Sequence, residues 1–195
     1  MNYLLSRLTG GDLRSDGKAD EVAETIVKDT TLLPLLLEGL HEPSHIVRAR
    51  SAHALEKISR TCPELITGAI GQVIESALHD DIPMVRWHMA MILGYPSYTN
   101  DQCDTIFSVL YTLLQDESVL VRSWAIVSLC ILGTTFEREK GRIVVKIMSL
   151  QDDESKAIQS KVQKALTILH NREKIPPGWI KKKEDSHNTM QGEIP

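Results

Sequence analysis

The sequence predicts an all-α protein built from repeated helix pairs, and three observations lead to this prediction. First, a segment that begins with an acidic residue, a short turn and a helix-like run recurs four times. A branched apolar residue falls five positions after each acid, and these residues are separated by 38, 36 and 37 positions. Second, an apolar stripe of helical spacing precedes each copy. Third, the period-two alternation that is typical of strands occurs nowhere at useful length. The branched residues are Val47, Val85, Val121 and Ile158, and a leucine follows each of them after eight positions, at Leu55, Leu93, Leu129 and Leu166.

The upstream stripe predicts the first helix of each pair. Large apolar residues stand ten and six positions before every acid, and a spacing of four lies on one face of an α-helix. In the first three copies a leucine also stands two positions before the acid, whereas Gln151 takes that place in the last copy. Each unit therefore consists of a helix, a tight turn and a second helix. The four predicted units are residues 30–60, 66–96, 102–134 and 138–170.

The two ends of the chain do not follow the repeat. Residues 1–29 contain two short amphipathic stretches, 1–9 and 18–28, and we interpret them as a capping helix pair, because terminal repeats are commonly degenerate where they meet water. The pattern stops near His170, and residues 171–195 are rich in charge, proline and polar side chains, which predicts a flexible tail. Trp179 and Ile180 are its large apolar pair and can dock back on the body.

The acid, the Val-Arg pair that follows it and the later Ala/Leu spacing resemble the HEAT repeat, a helix-pair unit. The resemblance covers residues 30–170 and implies a right-handed α-solenoid of about four pairs; the last repeat departs from it, with Ile158-Gln159 in place of Val-Arg. It also implies a ladder of acids and arginines along the solenoid, in which each arginine recurs with its own acid. An acid at the turn suits the positive end of the second helix and a charge-assisted hydrogen bond to a guanidinium. The ladder residues are Glu42, Arg48, Asp80, Arg86, Asp116 and Arg122, and the alternative is that these arginines bind a ligand.

Composition and charge narrow the functional classes. The chain has 195 residues, a formal charge of −4 and an isoelectric point of about 6.0, whereas nucleic-acid-binding domains are usually basic. Its three cysteines are odd in number and form no CxxC motif, which excludes a disulfide framework and fits a reducing, cytoplasmic location. The longest runs without a charged residue, 87–100 and 123–136, are 14 residues long. A membrane-spanning helix needs about 20 residues, so we expect no membrane partner.

The sequence offers no motif for catalysis or for a cofactor. It contains no GxxxxGK[ST], GxGxxG, HExxH or GxSxG pattern. HEAT-like hydroxylases hold two irons with several His-Glu dipeptides, and this chain has a single one, His41-Glu42. We therefore expect no metal, no cofactor and no enzymatic activity.

The middle repeats carry apolar side chains where a solvent-facing position is expected. Counted from the branched residue, positions 2, 3, 6 and 10 of the second helix should face outward, and they are polar in the first repeat but bulky and apolar in the second and third. Second helices line the concave side of such solenoids, and concave apolar patches with tryptophan anchors are typical of binding surfaces. The predicted partner-binding residues are Trp87, His88, Met91, Tyr95, Trp124 and Val127, continued by Arg50 and His53 of the first repeat.

The predicted function is a non-catalytic scaffold or adaptor that binds a protein or peptide on its concave face. The basic residues Arg50, Lys57, Lys161 and Lys164 flank the patch and suggest an acidic segment with apolar anchors. Burial against neighbouring helices and closure of a homodimer are two alternative roles for the patch. The alternative function is nucleic-acid binding by a relative of the HEAT-like glycosylases that act on alkylated DNA bases.

Overall fold

The computed structural model describes residues 1–95 and 100–180, and for residues 100 and 101 only the backbone. Regular structure in these ranges is helical throughout, which confirms the all-α prediction. Two 3₁₀ helices, Thr30–Leu32 and Glu38–His41, flank the short helix α3. The α-helices are α1 (Tyr3–Ser6), α2 (Ala19–Lys28), α3 (Leu33–Leu37), α4 (His45–Thr61), α5 (Pro63–Thr67), α6 (Ile70–His79), α7 (Pro83–Leu93), α8 (Asn100–Leu113), α9 (Val119–Thr135), α10 (Lys140–Met148) and α11 (Lys156–Asn171).

The helices alternate between two rows, as an α-solenoid requires. The second helices α4, α7, α9 and α11 pack one against the next, while the first helices of neighbouring repeats touch less extensively. Because the row of second helices is the more closely packed of the two, it forms the inner, concave side. The turns between first and second helices lie near residues 42–44, 80–82, 114–118 and 149–155. The boundary between the predicted units 66–96 and 102–134 lies mostly outside the described residues.

The core lies where the repeating residues predict it. The four branched residues that define the repeat are fully buried, and so are Leu93 and Leu129. Leu166, the last member of the leucine series, is only partly buried. In the described part of the chain no further repeat covers α10 and α11, so Leu166 remains at the open end of the array.

The N-terminal cap differs from the predicted helix pair. Of residues 1–9 only Tyr3–Ser6 form an α-helix, and the chain then runs as a loop to α2. Gly10, Gly11 and Gly17 have φ values of +80°, +70° and +56°, a left-handed region that glycine adopts readily. These glycines let the loop after α1 fold back over α4.

Each of three arginines on the second helices joins its repeat to the next. Arg86 donates from Nε and Nη2 to the two carboxylate oxygens of Asp116 in the following repeat, at 2.7 and 3.0 Å. Its Nη1 donates to the backbone carbonyl of Asp80 in its own repeat, at 2.9 Å. The guanidinium therefore links two successive turns, and the hydrogen bond to Asp116 raises the pKa of Arg86.

Arg48 and Arg122 make the same type of link, so the predicted ladder is present with a different pairing. Arg48 Nε lies 2.8 Å from Asp80, and Arg122 Nη2 lies 3.2 Å from Asp153. Each arginine thus pairs with the carboxylate of the next repeat. In its own repeat it donates only to backbone carbonyls. The expected pairing of the Glu42 carboxylate with Arg48 is wrong. Arg48 Nη1 donates to the backbone carbonyl of Glu42 at 3.1 Å, and the Glu42 carboxylate lies 3.9 Å from the N-terminal amino group.

The last repeat ends the ladder. Gln159 occupies the arginine position and donates through Nε2 to the backbone carbonyl of Asp153, at 2.7 Å. An amide can satisfy this carbonyl but carries no charge to pair with a further acid. Gln159 therefore retains the hydrogen bond to the turn of its own repeat but cannot form an ion pair with a following repeat.

Candidate functional site

A row of side chains on the inner face runs across all four second helices. It occupies the third and sixth positions after each branched residue, and we call it the inner lane. The helices α7 and α9 contribute its centre, while α4 and α11 contribute its two ends. Its members are Arg50 and His53 on α4, His88 and Met91 on α7, Trp124 and Val127 on α9, and Lys161 and Lys164 on α11.

Much of the inner lane is less exposed than the sequence predicts. Arg50, His88, Met91 and Val127 retain only 4%, 6%, 7% and 1% of their accessible surface. The prediction that these four residues face solvent is wrong. Neighbouring second helices pack so closely that they cover His88, Met91 and Val127, and an N-terminal loop covers Arg50.

Trp87 and Trp124 remain partly exposed on the inner face. They lie on α7 and α9, two second helices that pack directly against each other. The indole of Trp87 stands edge-on to the His88 ring, with centroids 5.2 Å apart, and its Nε1 lies 2.7 Å from His88 Nδ1. His88 Nδ1 also lies 2.7 Å from the Met84 carbonyl. The tautomer of His88 therefore decides whether Nδ1 accepts from the Trp87 indole or donates to this carbonyl. The two tryptophans supply apolar surface on the inner face that solvent can reach.

Arg50 fastens the N-terminal loop to the inner face. Its guanidinium donates to five backbone carbonyls between residues 8 and 15, at distances of 2.7 to 3.2 Å. Gly17 passes so close that a Cβ atom there would lie 2.7 Å from Arg50 Cζ. The role of Arg50 is therefore to hold the loop, and the loop closes the α4 end of the inner lane.

His53 forms a small charged cluster beside this loop. Its side chain is 15% exposed, and its ring nitrogens lie 3.2 Å from Asp16 and 3.5 Å from Asp20. The Asp20 carboxylate also pairs with Lys57 at 2.6 Å. The His53 and His88 rings are 5.1 Å apart, so the cluster continues into the inner lane. Burial lowers the pKa of His53 more than the two aspartates raise it.

The lowered pKa of His53 predicts how stability depends on pH. The unfolded chain binds a proton at His53 near the ordinary pKa of about 6.5, whereas the folded chain binds it only at lower pH. Stability should therefore be complete above that pKa and decline as the pH falls through it. Denaturation with urea between pH 7.5 and 5.5 should show this decline, and His53→Gln should reduce its slope. An unchanged slope in His53→Gln would contradict the assignment, with exposed His79→Gln as the control.

The Tyr95 hydroxyl makes a hydrogen bond within the fold. The hydroxyl donates to Glu56 Oε1 at 3.1 Å, and Glu56 is fully buried and paired with Arg60. Burial and the neighbouring Glu56 carboxylate raise the pKa of Tyr95. This buried carboxylate was not predicted from the sequence, although the i, i+4 spacing of Glu56 and Arg60 was available as a signal.

The four basic residues predicted to flank the patch all contact other parts of this chain. Arg50 binds the N-terminal loop and Lys57 binds Asp20. The ammonium groups of Lys161 and Lys164 lie 5.3 and 5.8 Å from the centroid of the Trp179 ring. This removes the basis for expecting an acidic partner.

No family model matches the sequence, and no curated protein is detectably similar to it. Solved structures do match. One is a chain of the complex of CpcE and CpcF of phycocyanin lyase from Nostoc sp. PCC7120, with 21% identity, a TM-score of 0.67, and coverage of 83% of this chain and 95% of that chain.

Designed armadillo repeat proteins also match the fold. A computationally designed one, made for modular peptide recognition, has 17% identity, a TM-score of 0.60, and coverage of 84% of this chain and 79% of that chain. Another, solved in complex with the peptide (KR)4, has 18% identity, a TM-score of 0.57, and coverage of 85% and 80%. The chain therefore has the fold of HEAT- and armadillo-type solenoids, as the repeat pattern predicts.

Two further observations concern the described residues alone. They contain no group of three or more His, Cys, Asp and Glu side chains that could hold a metal ion. No helix among them combines the length and the apolar character of a membrane span.

Proposed function

We propose that this chain is a non-catalytic interaction module that binds an extended peptide segment of a partner protein across Trp87 and Trp124. The observation that carries the proposal is the pair of partly exposed indoles on adjacent inner helices. Tryptophan is the residue type most enriched among the energetic anchors of interfaces. Leaving two of them open to water on a concave surface favours a role in binding.

The surroundings of the two indoles support a surface built for binding. The ladder arginines and the buried residues of the inner lane hold the α7 and α9 helices in fixed register. The indoles therefore stand on rigid elements, which lowers the entropic cost of binding. The designed armadillo proteins, whose fold is similar, include one made for peptide recognition and one bound to a peptide.

Peptide selection on the purified chain tests this function. A phage-displayed library of random peptides would be selected on the wild-type protein, and the affinities of the enriched peptides would be measured by fluorescence anisotropy. Trp87→Ala and Trp124→Ala should each weaken binding at least tenfold, about 1.4 kcal/mol, because each removes an aromatic anchor. Circular dichroism should show that both variants keep their helical content.

A matched control separates the inner face from general surface apolarity. Leu120 lies on α9 and is 52% exposed, yet it belongs to the turn end of the helix and not to the inner lane. Leu120→Ala should leave peptide affinity unchanged. Wild-type affinity in both tryptophan variants would show that the binding surface lies elsewhere.

A further inference from the structure

The chain turns back on itself after α11. Arg172 adopts the left-handed conformation, with φ of 55°, and the N–H groups of Arg172 and Glu173 both donate to the Ile168 carbonyl. The chain then leaves the helix, and a turn in which the Trp179 N–H bonds the Pro176 carbonyl at 2.9 Å presents the indole to the body. Trp179 is 8% exposed, so the predicted flexible tail, 171–195, contains a docked residue. Residues 181–195 lie outside the described residues.

Trp179 lies on the inner lane. Its ring faces the ammonium groups of Lys161 and Lys164, at 5.3 and 5.8 Å from the centroid. Those two lysines occupy the third and sixth positions after the branched residue, which are the positions of Trp124 and Val127 on α9. Trp179 thus covers the α11 end of the same surface whose centre exposes Trp124.

The two lysines that face the Trp179 ring form a surface that favours an indole. Lys161 and Lys164 stand one turn apart with like charges, and burial together with Lys164 lowers the pKa of Lys161. The negative face of an aromatic ring attracts such cations, most strongly for tryptophan. No ion pair joins either lysine to a carboxylate among the described residues, so the indole supplies the favourable contact.

The segment that carries Trp179 is fastened weakly apart from this residue. Within the described part of the chain, residues 174–180 make no backbone hydrogen bond to the repeats. Ile175 is the other apolar residue that packs against the core, and it is only partly buried. A segment held by so few contacts opens at low free-energy cost compared with the repeats.

We propose that the inner face of α11 is a binding seat for a tryptophan carried on an extended, proline-containing segment, and that Trp179 fills this seat in cis. The C-terminal segment then restricts external ligands to the α7–α9 part of the inner face until a segment of the same chemistry displaces it. The inference rests on the proposed function only in assigning the seat to the same surface, since its own occupant is part of the chain.

A synthetic peptide with the sequence of residues 173–182 provides the probe. Its fluorescently labelled form would be titrated with the full-length wild type and with Trp179→Ala, and anisotropy would report binding. A short tether gives an effective concentration in the millimolar range, so the wild type should bind the peptide at least about tenfold more weakly than Trp179→Ala. A peptide with alanine in place of its tryptophan should bind neither protein.

Lysine variants test the chemistry of the seat. In the Trp179→Ala background, the pair Lys161→Gln and Lys164→Gln should weaken peptide binding several-fold. The pair Lys28→Gln and Lys156→Gln removes the same charge from exposed positions and should have little effect. An equal loss of peptide affinity in both double variants would show that the lysines act only through the overall charge of the protein, and it would overturn the proposed seat.

A measurement on the wild type keeps the test valid if Trp179→Ala is poorly folded. The ¹⁹F spectrum of protein labelled with 5-fluorotryptophan should show a Trp179 signal, assigned with Trp179→Phe, that moves towards the position of free tryptophan as unlabelled peptide is added. Equal peptide binding by wild type and Trp179→Ala, or an unmoved Trp179 signal at millimolar peptide, would overturn the inference. These readouts need no external partner, so they can fail or succeed independently of the Trp87 and Trp124 test.

Discussion

Replacing Arg50 with alanine is expected to lower the free energy of unfolding by about 3–5 kcal/mol, because several backbone carbonyls lose a charged donor and each hydrogen bond of this kind contributes about 1.5–3 kcal/mol. The guanidinium is 4% exposed and is the donor for five backbone carbonyls of the N-terminal loop. Without it these acceptors lose their donor, and a space opens between the loop and α4. Urea denaturation followed by circular dichroism gives the change. Hydrogen exchange should show that residues 4–26 lose protection first.

Two further variants identify the cause of the Arg50 effect. Arg50→Lys keeps the charge but offers three donors from a single atom, so its stability should lie between the wild type and Arg50→Ala. Arg14 pairs with Asp12 on the same loop, but its side chain is 91% exposed, and Arg14→Ala should change stability by less than about 0.5 kcal/mol. A loss below about 1 kcal/mol in Arg50→Ala would mean that water replaces the guanidinium at these carbonyls.

The repeating part of the fold could be predicted because each repeat buries the same positions. Val85 and Leu93 lie between helices of successive repeats, so selection for packing leaves a periodic signal in the sequence. The ladder was also visible as residue types. Its pairing was not, because the acid and the arginine each recur once per repeat, so the sequence pattern is the same whether Arg86 pairs with Asp80 or with Asp116.

The exposure of the site could be predicted only in part. The helical register places Arg50 and Trp124 on the inner face, but it does not say what covers that face. The coverings are the loop after α1 and the segment after α11, which occur once each and therefore have no period. The glycines at 11 and 17 were a signal for a loop that approaches another chain segment closely, and Trp179 was recognised as a residue able to dock.

The second large effect is expected at the centre of the ladder, where Arg86→Ala should cost about 3–5 kcal/mol. Both partners of this pair are 9% exposed, and the guanidinium also caps the Asp80 carbonyl. Its removal leaves the Asp116 carboxylate buried without a counter-charge, and it releases the turn before α7 from the turn before α9. The free energies of unfolding from urea denaturation, at pH 7.5, provide the measurement.

A double-mutant cycle separates the pair from the burial of each residue. Asp116→Ala alone should also be costly, because it leaves the Arg86 guanidinium without its carboxylate. The double variant should lose clearly less than the two single losses combined, since neither charge then remains unpaired. Arg142→Ala serves as the control, because its contact with Glu139 is 4.0 Å long and its side chain is 61% exposed. Strict additivity of Arg86→Ala and Asp116→Ala would show that each residue acts through its own turn, and that the repeats are held together by their apolar contacts alone.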